Sequence, residues 1–179
     1  MADMVTIAPR PRSGLVGEST SDEAYGVLPG EDRLVRDIMT KKVVVVQSSM
    51  MLKKACEIFR DQEMSVLIVY RGNEPVHALT ESDLLSGETL RSDVSEIGTL
   101  QNLIEHQVAV RCREDAILAD AIHVMIKHHT GHVPVLDARG DLVGALSLVD
   151  AVGAVSPVAA ARWLPQMEGW SATPPPSTK

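Results

Sequence analysis

Aromatic side chains are scarce: one Phe, two Trp and two Tyr make up 3% of the 179 residues. Few platforms remain on which exposed bases could stack. Basic charge is also short, with 17 Lys and Arg against 24 Asp and Glu and a formal net charge of −7. Nucleic-acid binding needs a basic face to displace counterions, so no nucleic-acid partner is expected. Cysteine occurs twice, at Cys56 and Cys112, too few for a disulfide framework. Both read as small, partly buried residues in a reducing cytoplasm. No apolar run approaches the roughly 20 residues of a membrane span. Residues 1–30 lack the continuous apolar stretch of a signal peptide, and no membrane contact is expected. What is present suffices for a packed domain: 45% hydrophobic residues and an ordinary 23% charged.

The most informative feature is a repeat. Leu142-Val143-Gly144-Ala145-Leu146-Ser147-Leu148-Val149-Asp150 lies over Pro75-Val76-His77-Ala78-Leu79-Thr80-Glu81-Ser82-Asp83, 67 residues earlier. Each copy is an apolar run ending in a hydroxyl residue, two further residues and a carboxylate. At the same offset Val133, Val135 and Leu136 lie over Val66, Ile68 and Val69, and both copies pass through a polar turn. The preceding helix is shifted by one, with Leu118-Ala119-Asp120-Ala121 over Leu52-Lys53-Lys54-Ala55. Two copies make a tandem pair rather than a solenoid.

Taken in order, residues 1–30 mix Pro, Gly, Ser and charge without periodicity and read as a flexible arm, or one ordered only against a partner. The first motif spans 34–87. In it Val43–Val46 are four β-branched residues, as expected of a strand buried on both faces. Ser48 or Ser49 can cap a helix over Met51–Gln62 with Leu52, Ala55, Ile58 and Phe59 on one stripe. Strands over Val66–Tyr70 and Val76–Thr80 follow, then a helix from Glu81 that Ser86-Gly87 loosens. A connecting segment, 88–106, is helical around Leu100, Leu103 and Ile104. The second motif, 107–155, opens with a strand at Val108–Val110. Asp115 can cap a helix over Ala116–His129 whose apolar stripe is Leu118, Ala121, Ile122, Met125 and Ile126. Strands His132–Leu136 and Leu142–Ser147 and a final helix complete it. Each copy reads β-α-β-β-α. The fold class is mixed α/β (α+β), and the two sheets must pack together to bury their faces. Residues 156–179 form an Ala- and Pro-rich tail holding Trp163 and Trp170. These dock on the protein's own surface or across a dimer seam, or anchor a partner.

The residues resemble the tandem CBS domain, also called a CBS pair or Bateman module. The likeness rests on Val35-Arg36-Asp37-Ile38-Met39-Thr40 before the first strand, the ordered β-α-β-β-α units, Val133-Pro134-Val135 and the two Ser/Thr-x-x-Asp strand ends. It implies a pseudo-twofold disc with two clefts that binds AMP, ADP, ATP or S-adenosylmethionine as a regulatory ligand. With no catalytic domain among these residues, it implies a stand-alone sensor. By resemblance, Ser147 and Asp150 hold the sugar in the second cleft, with Val133, Pro134, Val108 and Val110 around the adenine. Thr80 and Asp83, with Val66, Leu67 and Val43, do the same in the first. His132 and Arg111 on one side, and Lys41 and Lys42 on the other, are the nearest cations for phosphate. The first copy departs from the pattern: His77 stands where the family, and Gly144 here, has glycine, and Leu67 stands where proline is usual. The second cleft is therefore favoured.

Asp83 and Asp150 also suit plain helix capping. His123, His128, His129 and His132 fall within ten residues, but His128 and His129 point in different directions and Gly131 breaks the helix before His132, so no metal site is expected. No Ser-His-Asp order, glycine-rich phosphate loop or zinc-protease helix is present, and no enzyme activity is expected. Two functions remain. One is a cytoplasmic adenosine-ligand sensor acting as a homodimer on a partner protein; the other is a ligand-free dimerisation or adaptor module recruiting through its tails.

Overall fold

In the computed structural model, residues 4–9, 30–62, 66–85, 98–105 and 107–167 are described. The first copy comprises β2 (Val44–Gln47), α1 (Leu52–Gln62), β3 (Leu67–Arg71), β4 (Glu74–Leu79) and α2 (Glu81–Leu85), preceded in the chain by β1 (Met4–Ile7). After α3 (Leu100–Ile104), the second comprises β5 (Ala109–Arg113), α4 (Leu118–Lys127), β6 (His132–Leu136), β7 (Leu142–Ser147) and α5 (Leu148–Ala154), and α6 (Pro157–Trp163) follows. In each copy the first two strands pair in parallel across a helical crossover and the last two form an antiparallel hairpin. The sheets run β2-β3-β4 and β1-β5-β6-β7. This is the expected mixed α/β architecture.

The hairpins correct the repeat alignment. Val69 faces His77 and Val135 faces Gly144, so the second hairpin is longer by one residue. Leu67, Ile68 and Val69 therefore correspond to Val133, Pro134 and Val135, a spacing of 66, while β4 and β7 keep 67. Laying Val133 over Val66 was off by one, and a slip of one exchanges the faces of a strand.

Each copy carries its own helix-covered core. Leu118, Ala121, Ile122 and Met125 of α4 bury the predicted stripe over Val133, Val135 and Leu146, and α1 does the same with Leu52, Ala55 and Phe59 over Leu67, Val69 and Leu79. A full burial of one such side chain contributes about 1.5–3 kcal/mol. A smaller cluster joins the sheets: Val66, Ile68, Ala78 and Ala145, with Val43 and Leu142 against them.

The copies exchange their lead-in segments. Val35, Ile38 and Met39 precede the first copy yet pack in the core of the second, whereas Leu100, Ile104 and Ala109 precede most of the second copy yet pack in the core of the first. Backbone pairs hold the exchange: Leu34 bridges Ile117, Met51 bridges Thr99 and Thr40 bridges Ala145.

Three sequence expectations change, and the alternatives left for Trp163 in the tail are decided in favour of docking on the protein itself. The first strand is buried on one face, not two: Val45 is 50% exposed because β2 is an edge strand. Asp115 does not cap α4; it forks onto Arg113 at 2.8 and 2.9 Å. The first amides of α4 donate instead to backbone carbonyls, Leu118 to Arg33 at 2.8 Å and Ala119 to Glu31 at 3.2 Å. Within the arm expected over 1–30, Met4–Ile7 is a strand parallel to β5, covering an edge that would otherwise stand open; residues 10–29 lie outside the described ones. In the tail, Ser156 caps α6, Trp163 packs on His123 with ring centroids 6.2 Å apart, and Arg162 pairs with buried Glu31 at 3.3 Å. Ser86, Gly87, Trp170 and Pro174–Pro176 lie outside the described residues.

Candidate functional site

Both Ser/Thr-x-x-Asp sequences sit where a hairpin strand runs directly into a helix. At the end of β7, Ser147 is the N-cap of α5 with an extended backbone, and its Oγ accepts from the Asp150 N–H at 3.4 Å. The Asp150 carboxylate is exposed, and among the described residues no hydrogen bond or ion pair occupies it. At the end of β4 the arrangement differs. The Thr80 N–H and hydroxyl both donate to Asp83 Oδ2 at 2.7 Å, and the Asp83 N–H returns a bond to Thr80 Oγ1 at 3.3 Å. Asp83 is half-buried and spent on its own helix start, a reciprocal capping box. The same local sequence thus leaves one acid free and ties the other.

Gly144 marks the second difference. Thr40 and Ala145 exchange backbone hydrogen bonds of 2.9 Å each, bringing the lead-in of the first copy onto β7. A Cβ at Gly144 would overlap the Thr40 carbonyl oxygen and stand 3.3 Å from Met39 Sδ. Glycine is required there because backbone approaches backbone. The sequence singled out Thr40 only as the end of the segment before the first strand and Gly144 only as a position that favours glycine; that the one crosses the other was not foreseen.

His77 occupies the place in β4 that Gly144 holds in β7. Burial pushes its pKa down to about 4; Asp83 acts against that shift and His132 with it. His132 sits opposite Ser147 in the β6–β7 ladder. Its pKa is lowered by burial, while Asp83 and, less strongly, Asp150 favour its charged form. His132 is thus within electrostatic reach of both acids. β4 packs against β5 and β6, which brings the two histidines together.

Several predicted lining residues lie elsewhere. Val133 is fully buried beneath α4 with Val110, and Leu67 lies in the core of the first copy, so none of the three faces a cleft. Strand alternation and the one-residue slip account for this. Pro134 is buried opposite Ala145, and its counterpart is Ile68 rather than Leu67. Val66 and Val43 belong to the cluster between the sheets. Val108 is 40% exposed and belongs to no core cluster, while its neighbour Ala109 packs in the core of the first copy. Lys41 and Lys42 were assigned to the first cleft; the Thr40–Ala145 pairing sets them alongside β7 of the second copy. Arg111 donates to Thr6 Oγ1 at 3.0 Å and is held at the β1 edge.

Among the described residues, no group of three or more His, Cys, Asp or Glu side chains is placed to hold a metal ion. Both cysteines are free, and burial pushes the Cys112 thiol up to about 12. No helix among the described residues is long and apolar enough to cross a membrane.

Fold and site together define a tandem pair of β-α-β-β-α units, each with a hydroxyl and an acid at its last strand end. The chain belongs to the CBS domain family, whose profile matches residues 35–88 and 104–157. It is 26% identical over 117 residues to an uncharacterised 17.7 kDa protein of Acidianus ambivalens, covering 65% of this chain and 69% of that one. An uncharacterised protein of Methanocaldococcus jannaschii is 29% identical over 135 residues, covering 68% of this chain and 32% of that longer protein. Among solved structures, a CBS domain protein of unknown function from Thermoplasma acidophilum has the same fold, with a TM-score of 0.59 at 18% identity over 76% of each chain. So does a CBS domain pair in complex with 5-methylthioadenosine and S-adenosyl-L-methionine, with a TM-score of 0.52 at 21% identity over 66% of this chain and 91% of that one.

Proposed function

We propose that the protein is a non-catalytic regulator that binds an adenosine-containing ligand (AMP, ADP, ATP or S-adenosylmethionine) at the Ser147–Asp150 end of the second copy and passes the bound state to a partner protein. The observation that carries this reading is the unengaged Asp150 carboxylate beside Ser147. A carboxylate can accept two charge-assisted hydrogen bonds from the vicinal diol of a ribose. The related pair described above holds two adenosine compounds. The protein works as a homodimer in the cytoplasm: its free thiols suit a reducing compartment, and Val149 and Val158 are exposed aliphatics that a self-contact would cover. Ligand shifts the assembly only through differential affinity for its two arrangements.

Thermal melts and calorimetry with AMP, ATP and S-adenosylmethionine test the reading. Ligand at 100 times its Kd stabilises by about 2.7 kcal/mol, a rise of roughly 5–10 °C for a chain of this size. Asp150→Ala is expected to weaken binding about 10-fold or more, the loss of hydrogen bonds to a charged group, and Asp83→Ala to leave it nearly unchanged. If none of the three raises the melting temperature at millimolar concentration, the protein is an adaptor and not a sensor.

A further inference from the structure

The two sheets have matching edges, and β1 covers only one of them. Val46 pairs with Val69 and Cys112 with Val135, so Val45 is the counterpart of Arg111. In the second copy β1 runs along that edge, with Thr6 beside Arg111 and Ile7 beside Cys112. Ile7 is buried in the core there, and Arg111 Nε donates to Thr6 Oγ1 at 3.0 Å. No strand among the described residues pairs with the same side of β2, and Val45 stands 50% exposed. The Ser48 N–H donates to the Tyr70 carbonyl at 2.8 Å. Alternate residues of a strand turn their backbone groups to opposite sides, so Val44 and Val46 also face β3. The N–H and C=O of Val45 and the N–H of Gln47 face outward.

An uncovered edge of β-branched residues is a template for another strand. The chain has one β1 and β5 uses it, which leaves one such edge per chain. A twofold axis sets identical edges antiparallel, so two copies satisfy each other with nothing left over. With the axis at Val45, the two Val45 residues exchange N–H···O=C bonds as a hydrogen-bonded antiparallel pair. Gln47 of each copy then meets Val43 of the other. Lys41 and Lys42 fall opposite Ser49 and Ser48, so no like charges meet. Val44 and Val46 pack beneath α1, which puts the two Val45 side chains together on the opposite face. We infer that two copies of the chain join through β2, edge to edge and antiparallel, merging their three-stranded sheets into one. The inference rests on the homodimer proposed above and names a joining surface other than Val149 and Val158.

Sedimentation equilibrium of the full chain over a range of concentrations tests it, with amide exchange read residue by residue. The wild type is expected to dimerise, and the outward Val45 and Gln47 amides to exchange more slowly as the dimer forms. Val45→Lys is expected to weaken the dimer about 10-fold or more, the effect of losing one or two hydrogen bonds. Val45→Pro is expected to do the same, and it leaves the bonds to β3 intact because the Val45 N–H faces outward. A dimer that neither substitution weakens overturns the inference and leaves the homodimer standing. So does one that Val149→Lys dissociates and the Val45 variants do not. A wild type that stays monomeric overturns both, while ligand binding is still read separately by the melts with AMP.

Discussion

His77 is a partly buried imidazole, and its cost appears on acidification. Its pKa falls from 6.5 to about 4 on folding, chiefly through burial. The unfolded chain therefore binds the proton more readily, so stability is full above about pH 6.5 and is lost as pH falls toward 4. At 1.36 kcal/mol per pH decade the loss reaches up to about 3 kcal/mol. His132 is shifted in the same direction and adds to the trend. Chemical denaturation at pH 7 and pH 4.5 is expected to show the wild type losing more stability than His77→Gln. Parallel losses in the two proteins would remove His77 as the cause.

Among elements, α6 shows how a segment outside the repeats becomes part of a core. Ser156 caps it, Pro157 starts it and Trp163 closes it at 7% exposure against the core of the second copy. The Trp163 Nε1–H is buried with no hydrogen-bond partner among the described residues. An unmade bond of this kind costs about 1–3 kcal/mol, whereas the ring's packing is worth about 3–5 kcal/mol on truncation to alanine. Trp163→Ala is therefore expected to lower the melting temperature sharply, and Trp163→Phe to cost little or to stabilise. Equal losses in both variants would mean that the indole N–H has a partner after all. β1 is the matching case at the other end of the chain, a strand recruited from the arm because β5 has an edge to cover.

At the scale of the molecule, the exchanged lead-ins make the halves interdependent. The core of the second copy lacks Val35 and Ile38 without the first, and the core of the first lacks Leu100 and Ile104 without the second. One cooperative unfolding transition, coincident by fluorescence and circular dichroism, is expected. Two resolved transitions would show that the copies fold separately. The same exchange bonds β7, whose end carries Ser147 and Asp150, to the segment that leads into β2.

Much of this was fixed by the sequence itself. Periodicity gave the stripes of α1 and α4, turn residues gave both hairpins, and the duplicated hydroxyl-and-acid pattern gave the two strand ends, because each depends on residues within a few positions of one another. Tertiary structure alone decided the rest. The extra residue in the second hairpin moved Val133 and Leu67 from the cleft into cores, and the crossing of the lead-ins carried Lys41 and Lys42 to the opposite copy. It also left Asp150 free while Asp83 turned onto Thr80. Strand register and segment exchange are settled by contacts between residues far apart in the chain, and local pattern carries no record of them.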